Sequence, residues 1–272
     1  MSASSSDSGR RRDSASRKAP APPAVAVERL SVAFGGLRAV DDVTFDVPAG
    51  QRRAIIGPNG AGKTTLFNLI GGQLRPITGV VRLFGDDVTH RRVHQRARAG
   101  LARTFQITNL LTELSVWDNV LLAVAARHAP VRRLFWNALS RLDSVTGPAA
   151  ELLRTWGLWT VRDHRVSELA YGQQRVLEIV LALAAQPRIL LLDEPTAGLS
   201  KEEAGRMTEV AAALPGELTL LIIEHDMEVA FALADVVQVM AEGVVLATGA
   251  PAEIQRNDEV IAAYLGGARG DA

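Results

Sequence analysis

Nine residues, Gly57-Pro58-Asn59-Gly60-Ala61-Gly62-Lys63-Thr64-Thr65, match the spacing G-x-x-x-x-G-K-[ST]. The residue types account for the chemistry. Glycines at 57, 60 and 62 allow backbone angles that side chains forbid, so that several N–H groups can turn toward one anion. The lysine offers a mobile point charge for outer phosphates, and the Thr64 hydroxyl is a hard oxygen ligand suited to Mg²⁺. Lys18, Lys63 and Lys201 are the only lysines, and one of them falls at the position the pattern demands. A glycine-rich turn before an ordinary helix is the plainer alternative. The flanks favour phosphate binding: Arg53-Ala54-Ile55-Ile56 reads as a buried strand and Leu66-Phe67-Asn68-Leu69-Ile70 as the start of a helix.

Two more chemical groups close apolar runs. Ile189-Leu190-Leu191-Leu192 reads as a strand buried on both faces and ends at Asp193-Glu194. Carboxylates at the carboxyl end of such a strand lie where open α/β sheets bind ligands. Asp193 is expected to hold Mg²⁺, directly or through water. Glu194 is expected to orient, or take a proton from, the water that attacks a γ-phosphate. Leu218 to Ile223 is a further strand, ending at Glu224-His225-Asp226. A lone histidine at a strand end is commonly structural, but His225 falls at the sheet edge expected for Lys63 and Glu194, which favours a catalytic or phosphate-sensing role.

These groups need a framework, and the rest of the chain reads as one. Val25 to Val47 is strand-like, with a turn at Gly35-Gly36; Val80 to Phe84, 236–240 and 244–248 read as further strands, and 251–265 as helical pieces. Phe34 sits where an aromatic ring could stack on an adenine; the local pattern by itself favours packing in the core. Residues 89–103 carry Arg91, Arg92, Arg96, Arg98 and Arg103 with His90 and His94 and without interleaved aromatics, which reads as a helical stretch with a solvated basic face. Residues 113–126 and 148–156 have helical apolar spacing, and Val131, Leu134, Phe135, Ala138, Leu139 and Leu142 form an amphipathic stripe. The block from about 107 to 180 therefore reads as a helical subdomain inserted in an α/β core.

Composition narrows the class. The chain has 272 residues, 47% of them hydrophobic, enough for one large α/β domain. The formal net charge is zero, which gives no global attraction to nucleic acid or membrane. No cysteine is present, which excludes disulfides and thiolate metal sites. No apolar run approaches the roughly 18 residues needed to span a bilayer, so a soluble or peripheral protein is expected. Residues 1–24 are rich in Ser, Arg and Pro, with Arg10, Arg11, Arg12, Arg17 and Lys18 outnumbering Asp7 and Asp13. This reads as a disordered basic tail with no secretory signal, and 266–272 as a frayed end.

One further segment completes a family resemblance. Leu169-Ala170-Tyr171-Gly172-Gln173-Gln174-Arg175 is similar to the signature loop of ABC transporter ATP-binding subunits, usually written L-S-G-G-Q. The order of the motifs agrees: Phe34, the phosphate loop, Gln106, the signature, Asp193-Glu194, Leu199-Ser200, His225. The resemblance spans roughly 25–265 and implies an α/β P-loop NTPase core with a mainly parallel sheet, an N-terminal antiparallel β subdomain and an inserted helical subdomain.

It also implies roles and partners. Phe34 becomes the adenine-stacking aromatic, reversing the local preference. Gln106 becomes the residue that reaches Mg²⁺ or the attacking water and opens the segment that senses the membrane partner. His225 becomes the γ-phosphate contact. Leu169, Ala170, Tyr171, Gly172 and Gln173 act in trans: the helix expected to begin near Gln173 points N–H groups at ATP held by a second cassette, and Ala197 to Ser200 cross the dimer interface. Ala170 and Ser200 depart from the usual serine and aspartate. Phe34 to Val40, Ala102 to Gln106, Ile223 to Met227 and Ile261 to Gly266 resemble the ATP-binding subunit of branched-chain amino acid importers. In that subfamily Ala-Tyr in the signature is familiar. The implied assembly is two cassettes, identical or related, on the cytoplasmic face of a membrane, with transmembrane permeases and indirectly an external solute-binding protein. Nucleic acid is not an expected partner. Cassettes of amide or urea importers look alike. A soluble ABC ATPase acting on DNA or ribosomes is disfavoured by the single cassette and the lack of a heptad run. A GTPase switch is disfavoured by the absence of Asn-Lys-x-Asp.

Overall fold

Val43, Phe45 and Val47 alternate with polar neighbours and are buried, the period-two pattern of a strand with one wet face. They belong to the antiparallel part of the fold. The computed structural model describes residues 21–104, 110–127 and 143–267. Strand β1 (Val25–Phe34) pairs with β2 (Leu37–Val47) across the Gly35-Gly36 turn and, on its other side, with β4 (Thr78–Leu83), which pairs with the short β5 (Asp86–Asp87).

The second sheet has the order β10-β9-β3-β8-β7-β6. Its members are β3 (Arg52–Ile56), β6 (Leu101–Arg103), β7 (Ile189–Asp193), β8 (Thr219–Ile223), β9 (Val236–Ala241) and β10 (Val244–Gly249). Neighbouring pairs are parallel except β9–β10, which turn back antiparallel through Glu242-Gly243. Every residue of β7 and β8 is buried, as befits strands with four consecutive aliphatics each, covered on both faces. The strand order puts the carboxyl ends of β3, β8 and β7 side by side, and the phosphate loop, His225 and Glu194 follow those three strands.

The helices are α1 (Lys63–Gly71), α2 (Val93–Arg98), α3 (Val116–Arg127), α4 (Asp143–Thr155), α5 (Tyr171–Ala184), α6 (Lys201–Ala212), α7 (Met227–Leu233), α8 (Pro251–Ile254) and α9 (Asp258–Gly267). Helices α3, α4 and α5 share a core of their own, with Val120, Val124, Leu153 and Leu177 among its members. Helix α5 also turns Ile179 toward Leu190 and Leu192 of β7. It is thus the element that joins the helical unit to the sheet. The stripe from Val131 to Leu142 lies outside the described residues.

The basic stretch 89–103 differs from expectation. Only Val93–Arg98 is helical; Arg96 is buried, and the side chain of Arg103 is largely covered. Arg96 donates to the carbonyls of Leu69 and Ile70 (both 2.6 Å), Thr89 (2.9 Å) and Arg91 (3.2 Å). The last carbonyls of a helix lack partners within it, and a guanidinium with five donors satisfies several at once. Burial lowers the pKa of Arg96 to about 10, which leaves it charged at neutral pH. Charge counting along the chain does not register this demand because it arises from the end of α1. Arg96→Met should lower unfolding stability by about 2–4 kcal/mol, since it leaves buried acceptors bare; urea unfolding midpoints measure it.

Candidate functional site

The loop between β3 and α1 needs its glycines because other backbones crowd it. Gly57 has φ +147 and Gly62 has φ +95, and a Cβ at either would collide with a backbone carbonyl: Met240 of β9 for Gly57, Ala39 of β2 for Gly62. Helix α1 opens without a side-chain cap and without an acidic residue in its first turn. Its leading N–H groups and the positive end of its dipole are therefore available to an anion. The helix starts at Lys63, three residues before the start read from Leu66. Lys63 is buried, and its Nζ donates to Gly57 O (2.6 Å) and Pro58 O (2.9 Å). An ammonium has three donors, so one remains beyond those two loop contacts. Burial lowers the Lys63 pKa, and the Glu194 carboxylate partly offsets this.

A cleft of about 850 Å³ opens over this loop, lined by Asn59, Gly60, Ala61, Gly62, Lys63, Thr64 and Thr65 on one side and by Phe34, Glu194 and Glu242 on others. That is the size range of a small-ligand site. Phe34, at the end of β1, is 51% exposed. Its ring borders the cleft and is not packed in the core that the local pattern favours.

At the carboxyl end of β7 the two carboxylates diverge. Asp193 is buried and accepts a hydrogen bond at Oδ2 from Arg103 Nη2 (2.6 Å); Arg103 Nη1 donates to Asn68 Oδ1 (2.7 Å). Arg103, read as part of a solvated face, instead ties β6, β7 and α1 together. Glu194 lies on the cleft wall with a left-handed backbone, φ +48, held by its N–H to Ile223 O (3.0 Å). His225 follows the neighbouring β8, and its side chain is 56% exposed. It shares the sheet edge but does not border the cleft. Gln106 lies outside the described residues.

Between these stands a residue that the motifs did not single out. Glu224 is wholly buried; its Oε1 accepts from Thr196 Oγ1 (2.8 Å) and Thr196 N (3.2 Å), and its Oε2 from His225 N (3.2 Å). Burial pushes its carboxyl pKa up. It staples the loop after Glu194 to the end of β8. The available signal was a carboxylate closing an aliphatic strand.

Residues 40–197 match the family model described as ABC transporter. This chain belongs to that family. It is an ATP-binding, ATP-hydrolysing cassette of the importer kind. A second model, branched-chain amino acid ATP-binding cassette transporter, matches the cassette at 244–269. The high-affinity branched-chain amino acid transport ATP-binding proteins LivG of Salmonella typhimurium and BraF of Pseudomonas aeruginosa are each 38% identical to it, over 90% of this chain and 98% of theirs. A solved nucleotide-free ATP-binding cassette from an ABC transporter superposes with a TM-score of 0.77 at 29% identity, covering 88% of this chain and 98% of its own.

The cassette keeps its signature segment away from its own cleft. Ala170, Gly172 and Gln173 line a separate groove with Glu203, Arg206 and Met207 of α6, and the two cavities share no residue. Leu169 is buried and anchors the segment in the helical core. Helix α5 begins at Tyr171, two residues before the start read near Gln173. Gln173 Oε1 accepts from Ala170 N (3.2 Å). Ser200 is the N-cap of α6: its Oγ accepts from Glu203 N (3.3 Å), and Glu203 Oε2 accepts from Ser200 N (2.9 Å). Serine and aspartate cap helices about equally well, so this departure leaves the loop intact.

Proposed function

We propose that the cassette powers the uptake of branched-chain amino acids and that the residues around the cleft divide the work as follows. The 57–62 N–H groups and the start of α1 hold the β- and γ-phosphates, Lys63 places its remaining donor on them, and Phe34 stacks on the adenine. The orientation is set by two sheets, the antiparallel one holding the base and the parallel one holding the phosphates. Glu194 accepts a proton from the water that attacks the γ-phosphorus; ADP leaves in line, carrying the electron pair of the broken P–O bond. His225 contacts the γ-phosphate from the end of β8, and Gln106 reaches Mg²⁺ or the attacking water.

The donor set suits Mg²⁺: a threonine hydroxyl and an aspartate are hard oxygen ligands, few in number, as expected of an ion that takes most of its shell from phosphates and water. Thr64, Asp193 and Gln106 would hold it, and when bound it neutralises charge on the β- and γ-oxygens.

Leu169, Ala170, Tyr171, Gly172 and Gln173 serve the nucleotide of a second cassette. Two such composite sites make a head-to-tail two-fold dimer that ATP holds together and hydrolysis releases. The dimer drives transmembrane permeases from the cytoplasmic face, and an external binding protein delivers the solute. Among the described residues no helix is long and apolar enough to cross a membrane, in keeping with a peripheral subunit. The cassette occupies 25–265, with its helical subdomain at about 107–180, between the tail 1–24 and the end read as frayed at 266–272, into which α9 continues as far as Gly267.

The observation behind the solute is the likeness to LivG and BraF along 98% of their length. Affinity purification from native membranes tests the assignment. Two hydrophobic permeases and a binding protein for leucine, isoleucine or valine should co-purify; a binding protein for amides or urea would correct the solute, and a ribosome or DNA-repair assembly would overturn the reading.

A further inference from the structure

Beneath Asp193 lies a cavity of about 10 Å³, bordered by Thr104, Arg175, Glu178, Ile179, Asp193 and Pro195. That is room for one water molecule. Three buried polar atoms on its lining residues have no hydrogen-bond partner among the described residues: Arg175 Nε, Glu178 Oε1 and Asp193 Oδ1. One is a donor and two are acceptors. A water molecule is their complement, since it accepts one hydrogen bond and donates two. A metal cation would face the Arg175 guanidinium and could not accept from Nε. An anion would face two carboxylates. Water alone matches both the size and the sense of all three groups, and three is the usual number of bonds made by a buried water.

The groups around the cavity are otherwise held. Arg175 Nη1 donates to Glu178 Oε2 (3.0 Å), an ion pair one turn apart on α5 with Arg175 buried and Glu178 partly so. Arg175 Nη2 donates to the Tyr171 hydroxyl (2.5 Å), and the guanidinium also lies over the Tyr171 ring. Asp193 is fixed on its other oxygen by Arg103, which reaches α1 through Asn68. A water in the cavity closes one polar path from the signature tyrosine, through Arg175 and Glu178, to Asp193 and on to the helix that begins at Lys63. Buried networks of this kind rigidify when every member is satisfied.

We infer that this cavity binds one structural water, bridging Arg175 Nε and Glu178 Oε1 to Asp193 Oδ1, and that through it the signature helix α5 positions the Asp193 carboxylate. Arg175 and Glu178 are positioning residues: they touch neither nucleotide nor metal. The consequence for metal binding rests on the proposed role of Asp193. Each carboxylate oxygen has two lone-pair directions, so the bridge fixes the carboxylate without consuming its capacity to ligate.

A crystal structure of the full chain at better than about 1.8 Å tests the water directly. One ordered peak within hydrogen-bond distance of the three atoms supports it; a direct Glu178–Asp193 carboxyl contact, or no peak, overturns it. Positioning is read from Mn²⁺ binding in the presence of ADP, by electron paramagnetic resonance, so that no turnover is needed. Glu178→Leu alone leaves a bare buried guanidinium and risks misfolding, so the main variant is Arg175→Met with Glu178→Leu, an apolar replacement of both partners that proteins often tolerate. It should keep the melting temperature and the metal-free affinity for ADP while weakening Mn²⁺ about tenfold, the usual scale for loss of an outer partner of a metal carboxylate. Glu178→Gln, whose amide oxygen can keep accepting from Arg175 while its NH₂ now donates to the water in place of the lost acceptor, should stay within about twofold of wild type, a change of only a few tenths of a kcal/mol. Asp193→Asn separates the two failures. If it weakens Mn²⁺ and the double variant does not, the positioning role is wrong; if Asp193→Asn has no effect, the metal assignment itself falls and the positioning role with it.

Discussion

Glu194→Gln should leave ATP affinity within a few-fold of wild type and lower turnover by about 10²–10⁴-fold, the contribution a positioned general base makes. The substitution isolates the proton. Glutamine matches glutamate in size and still offers an oxygen to orient a water, but it cannot accept a proton. The backbone does not confuse the result, because φ is +48 at this position and both residues bear the same Cβ cost there. Steady-state phosphate release measures the rate, and titration with a fluorescent ATP analogue measures binding. Light scattering with ATP should show dimer accumulating in the variant, since the step that releases it is blocked. Turnover near the wild-type rate would remove Glu194 from the role of base.

Gly57→Ala should abolish nucleotide binding and destabilise the chain. A Cβ there collides with the Met240 carbonyl, and the obstruction is sheet backbone in β9, which cannot swing aside as a side chain can. The φ of +147 adds a conformational cost for any L side chain. Together these are worth on the order of 3 kcal/mol or more. Relieving the clash moves the loop carbonyl that holds Lys63, so the phosphate cradle and its cation are displaced together. ATP affinity should fall by at least about 10²-fold, equal to roughly 2.7 kcal/mol, with a lowered urea midpoint. Gly36→Ala is the matched control: it lies on the same cleft, has open space around its Cβ position and does not have a positive φ. It should bind ATP normally.

The sheet that positions the chemistry was legible because its strands are extreme in composition. Ile189 to Leu192 and Leu220 to Ile223 are uninterrupted aliphatics, and burial on both faces suits such runs. The phosphate loop was legible because glycine, lysine and threonine are each there for a separate physical reason. What escaped has a common cause: it depends on partners distant in the chain. Arg96 looks like one charge among several until the end of α1 comes to rest beside it. Glu224 looks like a strand end until Thr196 arrives from the loop after β7. Phe34 was ambiguous for the same reason, since its neighbours at 34–38 do not say whether the space beyond the turn is core or cleft. Helix starts were misjudged by two or three residues at α1 and α5, where small or polar residues open the first turn and apolar periodicity begins later.

The groove at Ala170, Gly172 and Gln173 shares no residue with the cleft at Lys63. A single chain therefore holds two unlike halves that are lined by different residues. If the halves work only across chains, the catalyst is second order in itself. Dilution should then lower the rate per mole of chain, while nucleotide binding per mole stays constant. Tethering two copies to a shared scaffold would restore first-order behaviour by raising the effective concentration of each half for the other. On this view the permease pair is a path for the solute and also the scaffold that sets how often the two halves meet.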